Sequence, residues 1–333
     1  MKRFPILLSL LAASLFADDL PPMPEAVSSF GAVVSNDVLY TFGGHKAEPH
    51  SWALPTTSGG FHRLDLKQPS KWEDLPAGPP SQSPGLTAHA GKVYLVGGMQ
   101  PQNEDPAKPV LRSLSSASVY DPVARAWSKL PDLPSPRSSH DVTVLDGKLY
   151  VMGGWPLDTS KDKDDKTDDR HKIRPMHDTA VVLDLAKPQD GWKSFAQPFQ
   201  RRALAVVAAG GKVYALGGMD GKNELTASAN VYDPTTGKWE TLPDIPAKGR
   251  MRAFAVTACE WHGEVIASPA GGELFALRKG AWQLVGKLEQ ARFFHRLVPW
   301  GDHLISLGGN KGETPLSTLE LVTLPRDGAV SSR

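Results

Sequence analysis

The sequence contains a single cysteine, Cys259, so it cannot form an intramolecular disulfide. Beyond its first 17 residues it has no run of the roughly 18 apolar residues that a membrane helix needs, and we therefore expect no membrane span. Neither sign of charge dominates, because 37 Lys and Arg stand against 36 Asp and Glu, and this balance argues against nucleic-acid binding. Glycine and proline, by contrast, are abundant, with 31 and 29 copies, which favours a fold with many turns.

The first 17 residues have the features of a secretory signal peptide. Lys2 and Arg3 precede an apolar stretch, and the small residue Ala17 stands before Asp18-Asp19 at a plausible cleavage point. We predict a signal peptide at 1–17, one domain at 18–325, a C-terminal tail at 326–333, and a periplasmic or secreted protein. The alternative is a buried N-terminal helix, which Pro5 disfavours.

A repeat of about 50 residues runs through the chain. Its clearest mark is a Gly-Gly pair after a short apolar run, and in four of five copies a tyrosine stands three residues before the first glycine. A sixth, degenerate copy is placed at 263–269, where Pro269 replaces the first glycine. The six anchor positions are Gly43, Gly97, Gly153, Gly217, Pro269 and Gly308.

Each unit also shows marks of four short strands, of which the third ends in sequences such as Val119-Tyr120-Asp121-Pro122 and the fourth begins near a tryptophan. The tryptophans are Trp72, Trp127, Trp192, Trp239 and Trp282. Four antiparallel strands cannot bury both faces alone, whereas six such units packed around an axis can. The sequence therefore predicts an all-β fold, a six-bladed β-propeller with four antiparallel strands per blade. We interpret the tryptophans as apolar fillers between neighbouring blades.

This combination of Gly-Gly, Tyr-Asp-Pro and a tryptophan followed by Leu-Pro resembles the Kelch repeat. Among exported Kelch propellers the chain resembles the bacterial N-acetylneuraminate epimerase (sialic acid mutarotase) group, through Leu20-Pro21 and through Leu297-Val298-Pro299-Trp300 before Gly308-Gly309. The resemblance implies an isomerase that acts on a sialic acid or a related sugar. Where that family's Glu and Arg functional pair would be sought, after Gly217-Gly218, this chain has Met219-Asp220 and Leu225.

The last unit lacks a fourth strand, because no tryptophan follows its third strand at 319–324. The N-terminal sequence Leu20-Pro21-Pro22-Met23-Pro24 resembles the fourth-strand tail Leu242-Pro243-Asp244-Ile245-Pro246. We therefore predict that the N-terminus completes the final blade.

Arginines recur sixteen residues before the anchor, near one mouth of the central channel, on the side that also carries the longest connections. Arg137, Arg201 and Arg292 hold this position, and Arg252 reaches it if a turn carries one additional residue; Arg296 lies close by. Because a guanidinium binds carboxylates and phosphates, these residues predict a site for an anionic sugar or an acidic peptide or protein. The alternative is that the arginines belong to the repeat and pair with acids such as Asp121 or Asp233.

Two histidines share another repeat position, thirteen residues before the anchor. His140 is followed by Asp141, and His295 by Arg296. Opening a cyclic sugar needs one acid and one base, so His140, Asp141 and His295 are candidate catalytic residues. The alternative is that both histidines are bonded within a blade interface.

No pattern indicates a cofactor or a metal site. The acidic run at 161–171 lacks the glycine and glutamate of a calcium loop, and His45 and His50 on one loop do not define a site. Three functions remain open: binding of an anionic carbohydrate or protein ligand, a sugar-acid mutarotase, and a protein-interaction scaffold. Whether the protein is an enzyme is not decided by these residues.

Overall fold

Six antiparallel sheets follow one another along the chain, one for each predicted repeat. The computed structural model describes residues 20–162 and 173–325. The strands are, in blade 1, β1 (Gly31–Ser35), β2 (Val38–His45), β3 (Thr57–Asp65) and β4 (Glu73–Leu75); in blade 2, β5 (Gly85–His89), β6 (Lys92–Val96), the hairpin β7 (Met99–Pro101) and β8 (Leu111–Ser113), β9 (Ala117–Asp121) and β10 (Ala126–Lys129); in blade 3, β11 (Ser138–Leu145), β12 (Lys148–Trp155), β13 (Thr179–Asp184) and β14 (Lys193–Ala196); in blade 4, β15 (Arg201–Arg202), β16 (Ala205–Ala209), β17 (Lys212–Leu216), β18 (Met219–Asp220), β19 (Ala229–Asp233) and β20 (Lys238–Leu242); in blade 5, β21 (Thr257–Trp261), β22 (Glu264–Ser268), β23 (Glu273–Arg278) and β24 (Ala281–Lys287); and in blade 6, β25 (Arg296–Trp300), β26 (His303–Leu307), β27 (Asn310–Lys311), β28 (Thr314–Pro315) and β29 (Leu319–Val322). Two 3-10 turns, Thr159–Lys161 and Pro188–Asp190, are the described helical segments.

The blades close into a ring. The first strands of successive blades, β1, β5, β11, β16, β21 and β25, contact one another in that order, and β25 contacts β1. The prediction of a six-bladed β-propeller is therefore confirmed, and the degenerate copy at 263–269 is the β22 region of blade 5.

The apolar core lies between neighbouring blades. One cluster joins Val96 of blade 2 to Leu149 and Val151 of blade 3, and another joins Ile266 of blade 5 to Leu304 of blade 6. Cys259 lies in the second cluster, and its burial raises the pKa of the thiol well above the usual value. The thiol is a buried core group.

The first glycine of each Gly-Gly pair is required by the approach of the next blade. Gly217 has a φ of 60°, and a Cβ added there would lie 2.5 Å from the carbonyl oxygen of Ala253. Gly153 has a φ of 68°, and its Cβ would lie 2.7 Å from the carbonyl oxygen of Arg201. Any side chain at these positions would force adjacent blades apart.

The five repeat tryptophans link the blades by hydrogen bonds as well as by packing. Each indole Nε1–H donates to a backbone carbonyl at the end of the preceding blade's fourth strand. The bonds are Trp127 to Pro76 (2.9 Å), Trp192 to Pro131 (2.8 Å), Trp239 to Ala196 (3.0 Å), Trp282 to Pro243 (2.9 Å) and Trp72 to Pro21 (3.0 Å). The recurring Leu-Pro of the sequence thus supplies the acceptor in four of these five bonds, and Ala196 supplies it in the other.

The N-terminal segment takes the fourth-strand position of blade 6, as predicted. Met23 N–H donates to the Ser317 carbonyl (2.8 Å), as Ile245 N–H donates to Ala227 in blade 4 (2.9 Å). Leu20 and Met23 pack in the apolar cluster that joins blades 6 and 1. Among the described residues, β29 pairs with β26 on one edge and with no strand on its outer edge. The contacts of the N-terminal segment therefore close the ring without a hydrogen-bonded strand pair.

A charged cluster holds the same segment against blade 1. The Glu25 carboxylate accepts from the Ser58 hydroxyl, and it lies 3.7 Å from both the His62 ring and Lys46. The His62 ring, with Ser58 and Lys46, outweighs burial and lowers the pKa of Glu25 to about 2. Burial lowers the pKa of His62, but the carboxylates of Glu25 and Asp74 outweigh it and leave this pKa raised.

This cluster predicts an acid-sensitive contribution to stability. Because the pKa of Glu25 is depressed, its contribution is present above the unfolded value near 4.5 and is lost as the pH falls towards 2. We expect wild-type protein to lose about 1–2 kcal/mol more than Glu25→Gln between pH 5 and pH 2.5, after discounting for partial exposure. Urea denaturation at the two pH values measures this difference. The exposed Glu104→Gln is the control, and an equal loss in Glu25→Gln and wild type would contradict the expectation.

Candidate functional site

The six blades begin around the central channel, where their first strands contact one another. Two residues beyond the recurring arginine position, all six blades have a residue with φ between 50° and 56°, and these six form the waist ring: Ser29, Ser83, Ser139, Ala203, Ala255 and Phe294. Backbone N–H groups donate around the ring, from Ser83 to Ser29 (2.6 Å), from Ala203 to Ser139 (2.7 Å), from Ala255 to Ala203 (2.9 Å) and from Ser29 to Phe294 (3.2 Å). The cavity within the ring is about 40 Å³, which holds roughly one water.

An ion pair also crosses the channel. The Arg296 guanidinium of blade 6 lies 3.4 Å from Asp141 of blade 3, on the opposite side of the ring, and its Nε–H donates to the Phe30 carbonyl at 2.7 Å. The second Asp141 oxygen accepts from Val206 N–H at 2.9 Å. Burial raises the pKa of Asp141, and Arg296 opposes this shift. The waist ring and this pair leave space for roughly one water at this level of the channel, which is too little for a sugar.

Three of the predicted ligand-binding arginines are equivalent and buried. Each places its NH1 between two carbonyls of its own blade: Arg137 on Gly153 (2.7 Å) and Thr179 (3.0 Å), Arg201 on Gly217 (3.2 Å) and Ser228 (2.6 Å), and Arg292 on Gly308 (3.1 Å) and Thr318 (2.9 Å). Their exposure is 2–3%. They brace the end of the second strand against the start of the third.

The prediction that these arginines pair with Asp121 or Asp233 is wrong. Asp121 pairs with Lys92 at 3.0 Å, and Asp233 accepts from the backbone and hydroxyl of Thr235. Carbonyl oxygens take the place of carboxylates because the guanidinium lies between two strand ends. A ligand-binding role for Arg137, Arg201 and Arg292 stays a prediction, and it would have to act through atoms other than the engaged NH1.

Arg252 does not occupy the equivalent position in blade 5. Gly218 N–H donates to the Ala253 carbonyl (2.9 Å), as Gly98 N–H donates to the Arg137 carbonyl (3.0 Å), and so Ala253 stands where blades 3, 4 and 6 have arginine. The additional turn residue is absent because Trp261 and Glu264 already pair across a two-residue turn. Arg252 is exposed.

The two candidate histidines lie inside blade interfaces on opposite sides of the ring. Both are 3% exposed; His295 Nε2 lies 3.1 Å from the Ser268 hydroxyl, and the His140 ring packs against Gly85 and Gly97 of blade 2. Burial, together with nearby arginines, lowers the pKa of His295 to about 3 and that of His140 well below its usual value. Both rings are therefore neutral near pH 7, and their catalytic role stays a prediction.

The loop face, where the innermost strands begin, differs between its two halves. Blades 1 to 3 carry the long connections, whose apolar residues Met99, Leu111 and Leu157 pack with Trp52 and Trp155. Blades 4 to 6 have short connections and present aromatic rings instead. Arg202 lies 4.3 Å from the Trp155 ring and 5.5 Å from the Phe254 ring, and Phe254 packs against Phe293 and Phe294. Sequence reasoning missed these aromatics because the residue type at their positions changes from blade to blade.

A cavity of about 570 Å³ opens on this second half, and we call it the blade 5–6 cavity. The residues that line it include Glu289, Gln290, Arg292, Phe293, Asn310 and Lys311. Arg292 is the predicted ligand-binding residue that lines this cavity, whereas His140, His295 and Arg296 line the small cavity within the waist ring. The volume falls in the range of small-molecule sites.

The Kelch motif family matches two parts of the sequence, residues 82–134 and 200–246, which cover blade 2 and blade 4. The chain carries Kelch motifs.

Similar proteins include N-acetylneuraminate epimerases and proteins named for the Kelch motif. N-acetylneuraminate epimerase of Haemophilus influenzae is 24% identical in an alignment that is 356 positions long. The alignment covers 88% of this chain and 88% of that protein. Kelch-like protein 35 of Mus musculus is 26% identical over 253 residues, 68% of this chain but 41% of the relative. A solved structure described as YjhT superposes with a TM-score of 0.75 at 19% identity, over 93% of this chain and 98% of that one, which shows the shared fold.

The described part of this Kelch propeller has no helix that could span a membrane and no group of three or more His, Cys, Asp or Glu side chains suited to a metal ion. His45 Nε2 instead lies 2.9 Å from the Glu48 carbonyl, and the His50 ring packs against Trp52. Most of the acidic run at 161–171 lies outside the described residues, as do the predicted signal peptide and C-terminal tail.

Proposed function

We propose that this Kelch propeller is an exported sugar-acid mutarotase that binds a sialic acid or a related sugar on its loop face and interconverts its anomers. The observation that carries the proposal is the similarity to N-acetylneuraminate epimerase, which runs through 88% of both chains. The closed channel supports placing the ligand on a face, and the blade 5–6 cavity lies there. Export would remove residues 1–17, and the mass of the exported protein would check that it begins at Asp18.

Interconversion of the anomers requires one base and one acid. A base removes the proton of the anomeric hydroxyl while an acid protonates the ring oxygen, the ring C–O bond breaks, and closure of the open aldehyde or ketone on its other face gives the other anomer. The buried His140 and His295 are neutral and could supply only the base. On the loop face, Glu289 and Lys311 of the blade 5–6 cavity offer a carboxylate and an ammonium group together.

The activity predicts a faster approach to anomeric equilibrium. A single anomer of N-acetylneuraminate, freshly dissolved, is followed by proton NMR with catalytic amounts of protein. We expect a rate that rises in proportion to protein concentration, since a positioned acid or base contributes roughly 100-fold or more. Heat-denatured protein is the control for buffer catalysis. A rate equal to that of buffer at every protein concentration would exclude the mutarotase.

Binding without chemistry is the second candidate, and the match to Kelch-like protein 35 favours it. In that case the loop face would dock an anionic glycan or an acidic protein, with the exposed Arg252 among the contacts. The same NMR samples separate the two functions. Broadening of the sugar resonances without acceleration would favour binding alone.

A further inference from the structure

We propose that the blade 5–6 cavity is the subsite that holds the carboxylate-bearing ring of the sugar acid. The inference rests on the proposed function for the class of ligand, and the cavity, its buried amide and its charges carry the location. No predicted catalytic histidine lines this cavity.

Asn310 is the buried polar group of the cavity. Its backbone is fixed, because Asn310 N–H donates to the Phe293 carbonyl (2.7 Å) and Phe293 N–H donates back (3.0 Å). The residue is 3% exposed, yet its side-chain Oδ1 has no hydrogen-bond partner among residues 20–162 and 173–325. A buried acceptor without a donor is costly, and because Asn310 lines the cavity, a rotation of its side-chain amide towards the cavity would let a sugar hydroxyl supply the missing hydrogen bond.

The charges of the lining favour an anionic ligand. Lys311 is exposed at the rim, and the buried Arg292 adds a second cation, whose charge Glu320 partly offsets. Glu289 is the one acidic residue among the described residues that line this cavity. Its backbone N–H donates to Glu320 at 2.6 Å, which fixes the turn and leaves the side chain at the rim. A ligand carboxylate beside Lys311 would gain a charge-assisted hydrogen bond.

Phe293 supplies the apolar wall. Its ring is partly exposed and is held from behind by Phe294, with ring centroids 4.2 Å apart, and by Phe254 at 5.8 Å. A pyranose ring combines one carboxylate, several hydroxyl donors and an apolar C–H face, and it therefore matches Lys311, Asn310 and Phe293 together.

The test is a titration of N-acetylneuraminate and of its methyl ester against wild type and variants, by calorimetry. We expect Lys311→Met to weaken binding of the acid about tenfold and to leave binding of the ester unchanged, because the ester lacks the charge that Lys311 binds. Asn310→Ala is expected to weaken both ligands by a similar factor. Lys279→Met, an exposed lysine on the outer turn of blade 5, is the matched control and should bind both ligands as wild type does.

The outcomes separate the subsite from the activity. Lys311-dependent binding without anomer acceleration would support the subsite and remove the mutarotase. Acceleration or binding that both variants retain would overturn the subsite and leave the mutarotase standing. No binding of the acid by wild type would also overturn the subsite, and the NMR rate decides the activity independently. Lys311 is exposed, so its variant remains informative if Asn310→Ala fails to fold.

Discussion

A chain that lacks residues 1–24 should melt about 10 °C below one that lacks only residues 1–19. The shorter chain loses the buried Met23 side chain, the Leu20 contact, the Pro21 carbonyl that accepts from Trp72 and the Met23 bond to Ser317. Burial of the two apolar side chains and the two hydrogen bonds together contribute ~4 kcal/mol. For a domain of this size, each kcal/mol corresponds to roughly 2–4 °C in melting temperature.

Point variants separate the closing contact from chain length. Met23→Ser should reproduce about half of the loss, whereas Pro22→Ser, at the exposed neighbouring position, should change little. Calorimetry on all four chains measures the effect. Equal melting temperatures for the two truncated chains would show that the N-terminal segment does not close the ring.

This closure was predictable because the repeat supplies an internal reference. Leu20-Pro21 could be matched to Leu242-Pro243 without knowing that the proline carbonyl accepts from a tryptophan. The repeat also places the recurring arginine position sixteen residues before the anchor. In blade 5 the anchor is Pro269, so this position is Ala253. Adding one residue to reach Arg252 was wrong because the spacing is fixed by the waist ring, whose blade 5 member is Ala255.

The site was less predictable because its groups do not repeat. Arg137, Arg201 and Arg292 stood out by their periodicity, and periodicity is what a structural role in every blade produces. Asn310 and Phe293 occupy positions that are bridged in the same way in other blades, as in Ser28 with His45 and Gln82 with Met99, but the residue types at these positions differ from blade to blade. In a repeat protein the residues that break the pattern therefore indicate the ligand better than those that keep it.

Replacing Arg201 by methionine should destabilise the protein by about 3–5 kcal/mol. The guanidinium donates to the carbonyls of Gly217, Ser228 and Ala215 and to Asn230 Oδ1 at 2.7 Å, and it lies 4.0 Å from the Phe199 ring. Methionine fills much of the same volume but leaves these buried acceptors without donors. Lysine restores one donor centre without the planar fork, so Arg201→Lys should fall between methionine and wild type.

Arg252→Met provides the matched control, because this arginine is exposed on the same face, one residue before the equivalent position in the next blade. Its unfolding free energy in urea should stay within about 0.5 kcal/mol of wild type. A loss in Arg201→Met no larger than this would remove the structural role and strengthen a ligand role for the buried arginines. Conversely, if Arg201→Met is strongly destabilised, a loss of ligand binding in Arg137 or Arg292 variants must be compared with their folded fraction before it is assigned to a contact.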